Sequence, residues 1–270
     1  MSASYPTPPT YPGGDQGPSY GETRPGGMQG MPGTRRIETS VVKPVMTYAI
    51  LGLTILVFLA QKLSARGIGF DWPAEMGMKI NEAILQGQFW RLFTPMLLHG
   101  SLLHLGFNMY ALYALGPTLE SYYGHARFLA LYILAGFAGN VTSFIFSPAN
   151  SLGSSTAIFG LLGAYGVFLY QNRELLGGRG RRGLVNIITI AVINLAIGTM
   201  PGIDNWGHIG GLVGGVLFAW IGGPKLKMEL EPSSVRLEDQ RQSGDALKAG
   251  LAVGLVFGGM LAAAILLGWF

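Results

Sequence analysis

Long apolar runs separated by short polar breaks dominate the chain from Pro44 onward. The hydrocarbon core of a bilayer requires about 20 mostly apolar residues per helix, with roughly 17 to 25 tolerated. Seven stretches fit this range and are predicted to be transmembrane helices: 44–61, 96–117, 127–147, 153–170, 184–200, 206–223 and 248–270. The pattern predicts an all-α polytopic membrane protein.

The first 43 residues differ from the rest of the chain in composition. They are rich in Pro, Gly, Ser and Tyr and contain almost no aliphatic side chains. Such a segment cannot bury enough apolar surface to offset the entropy lost on ordering, so residues 1–43 are predicted to be a disordered tail. No apolar run follows a basic start, and we do not interpret the segment as a signal peptide.

The overall composition supports the membrane interpretation. Hydrophobic residues make up 49% of the 270 residues and charged residues 12%, about half of the roughly 25% found in average soluble proteins. The chain contains no cysteine, which excludes thiolate nucleophiles, disulfides and cysteine-ligated metal or iron–sulfur sites. A soluble enzyme is therefore not expected.

The distribution of basic residues predicts the orientation. If the tail is cytoplasmic, all but four of the 18 Lys and Arg residues lie in cytoplasmic segments. The four exceptions all fall in the long first outer loop: Lys62, Arg66, Lys79 and Arg91. The positive-inside rule then predicts a multi-pass cell-membrane protein with a cytoplasmic N-terminus and an outer C-terminus. This arrangement explains the net charge of +4 without a nucleic-acid partner.

Polar residues at the ends of three spans are candidate functional groups, because ionisable residues inside a membrane are costly. His104 and Asn108 are four residues apart in the second span and share one helix face. Ser155 begins the fourth span and His208 the sixth. In the predicted topology these three spans run in the same direction, so the residues lie at one depth. A hydroxyl beside an imidazole supplies a nucleophile and a general base, and a second imidazole and an amide could stabilise an oxyanion.

Small residues recur at three- to four-residue spacing in the fourth and sixth spans. The positions are Gly153, Ala157, Gly160 and Ala164 in one, and Gly207, Gly211 and Gly215 in the other. Such ridges let membrane helices approach closely, although they are packing features in many membrane proteins. Taken singly, a membrane serine commonly bonds to its own helix, and a membrane histidine can have a purely structural role.

Three segments of the chain resemble the rhomboid intramembrane serine proteases. They are FWRLFTPMLLHGSLLHLGFNMYALYALGPTLESYYGHARFLALYILAG, GSSTAIFGLLGA and NWGHIGGLVGG. The resemblance covers residues 44–223 in the right order, and the last span is similar to the additional seventh helix of some members. It implies a rhomboid-like six-helix bundle at 44–223, a cytoplasmic linker at 224–247 and a seventh transmembrane helix at 248–270.

The resemblance also implies roles for individual residues. Ser155 matches the nucleophile of the family and His208 its base, in a dyad that lacks an orienting carboxylate. His104 and Asn108 match the pair that stabilises the oxyanion. By the same analogy Asp204, one turn before the base, belongs to a loop and is not expected to complete a triad.

Other matched positions have expected roles outside the dyad. His99 and Glu120 match structural residues, and Phe159 matches an aromatic residue that lies against the base. Trp90 and Arg91 match a pair in the first outer loop. One position departs from the family: Thr156 stands where a glycine usually follows the serine. Because glycine permits a tight backbone, the threonine is expected either to crowd the cleft or to bond to a carbonyl one turn earlier.

The sequence thus predicts an intramembrane serine endopeptidase that cleaves single-span membrane proteins near the outer end of their transmembrane helices. No metal or organic cofactor is expected; the expected partners are transmembrane protein substrates and the lipid bilayer, with the oligomeric state open. The chain has no His-Glu-x-x-His motif of a zinc protease and no central Asp in a span. The alternatives are a non-catalytic rhomboid-like protein that binds transmembrane helices and, with less support, a transporter.

Overall fold

The computed structural model describes residues 36–38, 42–230 and 234–269, and most of these residues are helical. Two 3-10 turns, Phe89–Leu92 and Thr94–Leu97, lie between the third and fourth helices. The α-helices are, in chain order, α1 (Val45–Gly67), α2 (Trp72–Gly77), α3 (Asn81–Leu85), α4 (Leu102–Tyr123), α5 (His125–Phe146), α6 (Ser155–Gln171), α7 (Arg173–Ile197), α8 (Asn205–Gly222) and α9 (Ser243–Leu267). Each of the seven predicted spans corresponds to one long helix, which confirms the predicted fold class.

Several helix boundaries differ from the predicted spans by five residues or more, among them the starts of the second and fifth spans. The second span begins at Leu102 and not at residue 96, because Ser101 caps α4 by accepting a hydrogen bond from the N–H of His104. His99 therefore lies in the loop before the helix. The fifth span begins early, at Arg173, and its backbone breaks at Gly177, where φ is 53°. Glycine adopts this left-handed conformation without the strain that a side chain would add.

Length and hydropathy divide the seven long helices into two groups. Among the described residues, four helices are long and apolar enough to cross a membrane: α1, α5, α7 and α9. The other three long helices, α4, α6 and α8, contain most of the polar and glycine residues singled out above. Most side chains of α6 are buried, so that helix packs against protein over much of its surface.

The backbones of α6 and α8 are in direct contact. A Cβ atom added at Gly211 would lie 2.0 Å from the carbonyl oxygen of Thr156, and one at Gly215 would lie 2.0 Å from that of Gly160. On the other side of α8, a Cβ at Gly210 would lie 2.2 Å from the hydroxyl of Thr142 on α5. Helix α8 is therefore clamped between α5 and α6 as the small-residue spacing predicts.

A buried carboxylate joins α1 to α4 at the end of the bundle opposite the N-termini of α6 and α8. Glu120, near the end of α4, accepts hydrogen bonds from the backbone N–H groups of Met46 (2.8 Å) and Thr47 (2.7 Å) and from the Thr47 hydroxyl. Helix α1 has no side-chain cap of its own. Glu120 therefore satisfies backbone donors that the first turn leaves free, and negative charge is favourable at this end of a helix.

The loop between α1 and α4 is tied to α5 by buried polar side chains. Lys79 is fully buried, and its ammonium group donates to the carbonyl oxygens of Ser147 (2.9 Å) and Ala149 (2.8 Å), just beyond α5. Asn140 of α5 donates to the carbonyl oxygen of Leu92 in the loop (2.9 Å). From the sequence, Lys79 is only one of four basic residues expected in the first outer loop, whereas in the structure it is part of the core.

A small sheet follows α8 within the predicted linker 224–247. Strand β2 (Leu226–Leu230) pairs antiparallel with β3 (Ser234–Asp239), and β1 (Arg36–Glu38) pairs parallel with β3. Arg127 on α5 forms a 2.7 Å ion pair with Asp239. Apart from residues 36–38, 42 and 43, the predicted tail 1–43 lies outside the described residues.

The contact between α6 and α8 predicts that Gly211→Ala destabilises the protein. The new methyl group overlaps a backbone oxygen that cannot rotate away, and overpacking of this kind costs about 1–3 kcal/mol. The measurement is the Tm of the purified protein in detergent. Gly254→Ala on α9 is the matched control, since nothing lies within 4 Å of that position; equal Tm values for the two variants would contradict the packing argument.

Candidate active site

A cavity of about 700 Å³ lies where the N-terminal ends of α4, α6 and α8 meet. Four helices and the residue that precedes α8 contribute polar side chains to its lining: His104, Asn108, Ser155, Asn194, Asp204 and His208. Polar groups within a cavity of this size can admit water and an extended peptide. All four residues that the sequence predicts as the site therefore line one cavity.

Ser155 and His208 are in hydrogen-bonding contact. The Oγ atom of Ser155 lies 2.9 Å from Nε2 of His208. The imidazole stacks on the ring of Phe159, one turn further along α6, with ring centroids 4.3 Å apart and planes 11° from parallel. The hydroxyl thus meets the imidazole at a distance suited to proton transfer, while the aromatic ring fixes the plane of the base.

The backbone before α6 explains how His104 comes close to Ser155. Gly153 has φ of 134°, which L-residues with side chains rarely adopt. A Cβ atom at Gly153 would lie 2.8 Å from the ring of His104 and 3.7 Å from the hydroxyl of Ser155. Gly153 also donates its N–H to the carbonyl oxygen of Pro95 (2.9 Å), which ties the segment to the loop before α4. A larger residue here would displace the imidazole.

Asn108 lies one turn after His104 on the same face of α4. Its Nδ2 atom donates one hydrogen bond to the carbonyl oxygen of His104 at 2.9 Å. An amide nitrogen carries two hydrogens, so the second remains available toward the cavity. The geometry brings the two side chains to the nucleophile, and their role as oxyanion donors stays a prediction.

The neighbouring hydroxyl, on Ser154, has a different partner. Its Oγ atom lies 3.3 Å from Nε2 of His99, and both residues are fully buried. Burial, with His104 nearby, lowers the pKa of His99 to about 4. A neutral imidazole and a hydroxyl then form a hydrogen bond behind the cavity. Ser154 and Ser155 therefore point to two different histidines.

Two residues near the site, Ser143 and Lys79, have no role there that the sequence predicts. Ser143 of α5 donates a hydrogen bond to the carboxylate of Asp204, and Lys79 donates to the hydroxyl of Ser143 at 3.2 Å. A serine in an apolar helix gives no sequence signal. Lysine is almost never fully buried unless it is paired, so a buried lysine indicates polar partners. Within the described ranges, no group of three or more His, Cys, Asp or Glu residues could hold a metal ion.

Thr156 faces away from the cavity, which corrects both sequence-based expectations for it. Its side chain is buried against α5 and α8, and Cβ atoms added at Gly139 and Gly207 would lie 2.7 and 3.0 Å from it. It does not line the cavity. Its hydroxyl has no hydrogen-bond partner among the described residues. The threonine therefore fills space between three helices and does not narrow the cleft.

Comparison with known proteins identifies the family. The family model described as the Rhomboid domain matches residues 86–225, which include both members of the Ser-His pair and all the residues that line the cavity except Met78. The chain belongs to the rhomboid family. Because rhomboids are membrane proteins and the chain has several helices able to cross a bilayer, this rhomboid is a multi-pass membrane protein.

Similar proteins come from bacteria and plants. The rhomboid is 42% identical over 189 residues to rhomboid protease GluP of Bacillus subtilis (strain 168), covering 68% of this chain and 37% of that protein. It is 33% identical over 180 residues to the putative rhomboid protease YdcA of the same organism, covering 66% and 88%. RHOMBOID-like protein 7 of Arabidopsis thaliana is 39% identical over 135 residues, covering 50% and 43%. The match thus spans less than half of GluP and of the plant protein.

The packing of Thr156 in this rhomboid predicts opposite effects for two substitutions. Thr156→Gly removes a buried side chain and adds a helical glycine, which costs roughly 0.3 kcal/mol more than threonine from propensity alone, so its Tm should fall. Thr156→Val keeps the shape and removes an unpartnered hydroxyl, so its Tm should match or exceed that of the natural protein. The measurement is thermal unfolding in detergent. A higher Tm for the glycine variant than for the valine variant would disprove this account.

Proposed function

We propose that this rhomboid is an intramembrane serine endopeptidase that cleaves transmembrane helices by a Ser155-His208 dyad. The observation that supports the proposal most is the 2.9 Å contact between the hydroxyl and the imidazole at the wall of the cavity. The names of two relatives, rhomboid protease GluP and putative rhomboid protease YdcA, support the same reaction class. Neither a metal nor an organic cofactor has a part in the proposed chemistry.

The proposed reaction begins with attack of Ser155 Oγ on the scissile carbonyl carbon as His208 Nε2 takes the hydroxyl proton. His104, Asn108 and the backbone N–H of Ser155 then stabilise the oxyanion, each donor contributing roughly 3–4 kcal/mol if it resembles one measured case. His208 next protonates the leaving amine as the C–N bond breaks. Water, activated by the same imidazole, hydrolyses the acyl-enzyme.

The proposed substrate is a single-span membrane protein. Its scissile bond must leave the helical hydrogen-bond pattern, since a transmembrane helix keeps every backbone polar group paired. The cavity lies near the N-terminal ends of three helices, so cleavage is expected near one surface of the membrane. With a cytoplasmic N-terminus, as the basic residues predict, that surface is the outer one. Asn194 of α7 lines the cavity, and this helix with its following loop is the proposed gate.

The alternative, a non-catalytic rhomboid-like protein that binds transmembrane helices, requires no contact between a hydroxyl and a base. The paired side chains of Ser155 and His208, with Phe159 stacked on the imidazole, favour catalysis. The two functions differ in one measurable property, which is whether a bound helix is cut.

The proposed dyad predicts that Ser155→Ala and His208→Ala each abolish cleavage, with a double variant no worse than either single one because the two residues act as a unit. The measurement is the appearance of cleavage products when the detergent-purified protein is incubated with a panel of single-span helices. Ser154→Ala is the matched control, since its hydroxyl bonds to His99, and it should retain activity. Substrate cleavage by Ser155→Ala would refute the assigned nucleophile, and helix binding without cleavage by the natural protein would support the alternative.

The same geometry predicts selective labelling. A fluorophosphonate, which reacts with activated serines, should modify Ser155 and leave Ser154 unmodified, because only Ser155 contacts the proposed base. Mass spectrometry of the labelled peptide identifies the modified residue. An adduct on Ser154 would show that the assignment of the two serines is wrong.

A further inference from the structure

Asp204 holds the first turn of α8, which carries His208. It is the N-cap residue of the helix, and its Oδ1 atom accepts the N–H of Gly207 at 3.0 Å. Its backbone carbonyl oxygen accepts the N–H of His208 at 3.2 Å. One residue thus binds the N–H groups of two successive residues, of which the second is the proposed base. The position of the imidazole therefore depends on Asp204.

The second carboxylate oxygen of Asp204 is anchored to another helix. Oδ2 accepts a hydrogen bond from the hydroxyl of Ser143 on α5, which in turn accepts one from Lys79 at 3.2 Å. Burial lowers the pKa of Lys79 to about 8, and the nearby charges of Asp204 and Glu82 oppose that shift. Around neutral pH a buried cation, a hydroxyl and a carboxylate thus connect the loop before α4 to α5 and α8. Both oxygens of the carboxylate accept from donors, as an ionised group requires.

Asp204 does not contact the imidazole in the way that a triad carboxylate does. Nδ1 of His208 has no hydrogen-bond partner among the described residues. Asp204 nevertheless lines the same cavity as His208 and accepts the backbone N–H of that residue at 3.2 Å, which brings the carboxylate near the imidazole. A negative charge near an imidazole in a medium of low dielectric favours its protonated form.

Few other titratable groups lie beside His208. Besides Asp204, His104 on α4 is the one titratable residue of the described ranges that lines the cavity with it, and Lys79 is connected to it only by way of Ser143 and Asp204. The residues that α6 and α7 contribute to the cavity, Phe159 and Asn194 among them, are uncharged. Asp204 is therefore the one carboxylate among the described residues that line the cavity.

We propose that Asp204 is a positioning residue for His208, an inference that rests on the proposed protease function. Asp204 fixes the first turn of α8 and stabilises the imidazolium with its charge. As the bond between Ser155 Oγ and the carbonyl carbon forms, the hydroxyl proton moves to Nε2 of His208. It leaves again for the amine nitrogen when the C–N bond breaks. Between these two transfers the imidazole carries a positive charge, which the nearby carboxylate stabilises.

Asp204→Asn removes the negative charge but keeps the helix cap, because asparagine caps helices about as well as aspartate. Asp204→Ser is a second neutral cap, in case the amide does not pack beside Ser143. The matched control is Asp71→Asn. Asp71 is also an N-cap aspartate, which accepts from the N–H of Ala74 (3.0 Å) and from Gln61 (2.9 Å) at the start of α2, and it does not line the cavity.

The readouts are kcat and KM for one single-span substrate between about pH 5 and pH 9 and the Tm of each protein. Both neutral variants should lower kcat roughly three- to tenfold with KM unchanged, and the acid limb of the kcat/KM profile should move about one unit to lower pH. The direction follows because loss of the negative charge makes the imidazolium easier to deprotonate. Asp71→Asn should leave the profile unchanged. Asp204→Ala, which also removes the cap, should lower the Tm further.

A pH profile of either folded neutral variant that superimposes on that of the natural protein would overturn the inference. The same holds if activity falls without a shift of the acid limb, since a purely structural cap would act in that way. The rate at which a fluorophosphonate labels Ser155 across the same pH range repeats the test without a substrate. If the natural protein neither cleaves nor becomes labelled, the proposed function itself fails, which is a separate result.

Discussion

The backbone contact between α6 and α8 is the constraint on which the rest of the structure depends. A short serine side chain can reach an imidazole on another helix only if the two backbones nearly touch. The glycines at 211 and 215 allow this, because a Cβ atom at either position would overlap a carbonyl oxygen of α6. Lipid tails are as apolar as the side chains, so burial of apolar surface does little to drive helices together in a membrane. Close packing of this kind is therefore a main source of helix association. The same contact thus stabilises the bundle and brings the proposed dyad together.

The buried charged side chains of Glu120 and Lys79 follow a second rule, which is that each is held by several partners. Glu120 accepts three hydrogen bonds at the start of α1, and Lys79 donates to the end of α5. Both groups complete helix ends whose backbone atoms have no partner within the helix. Burial of an ionisable group is costly unless such partners exist. These side chains therefore fix where helices and loops meet, and the cavity lies between the fixed points.

The proposed dyad combines a buried environment with an open cavity. His208 is stacked on Phe159 and largely buried, but its Nε2 atom faces a hydroxyl at the cavity wall. Transient positive charge on such a ring requires compensation in a region of low dielectric. The carboxylate that caps α8 is suitably placed to provide it without a direct hydrogen bond. Asp204 would then both cap α8 and support the base electrostatically.

The sequence alone determined the seven long helices, their order and the four residues around the cavity, because apolar run length, residue spacing and family motifs are local properties. The tertiary structure decided what depends on neighbours distant in sequence. Thr156 was expected to crowd the cleft or bond to its own helix, but it packs between α5 and α8 because the flanking glycines leave space there. Lys79 became a core residue and Asp204 gained Ser143 as a partner only through folding. Hydrogen bonds between residues more than 60 positions apart leave no periodic trace in a single sequence, so only the packed helices reveal them.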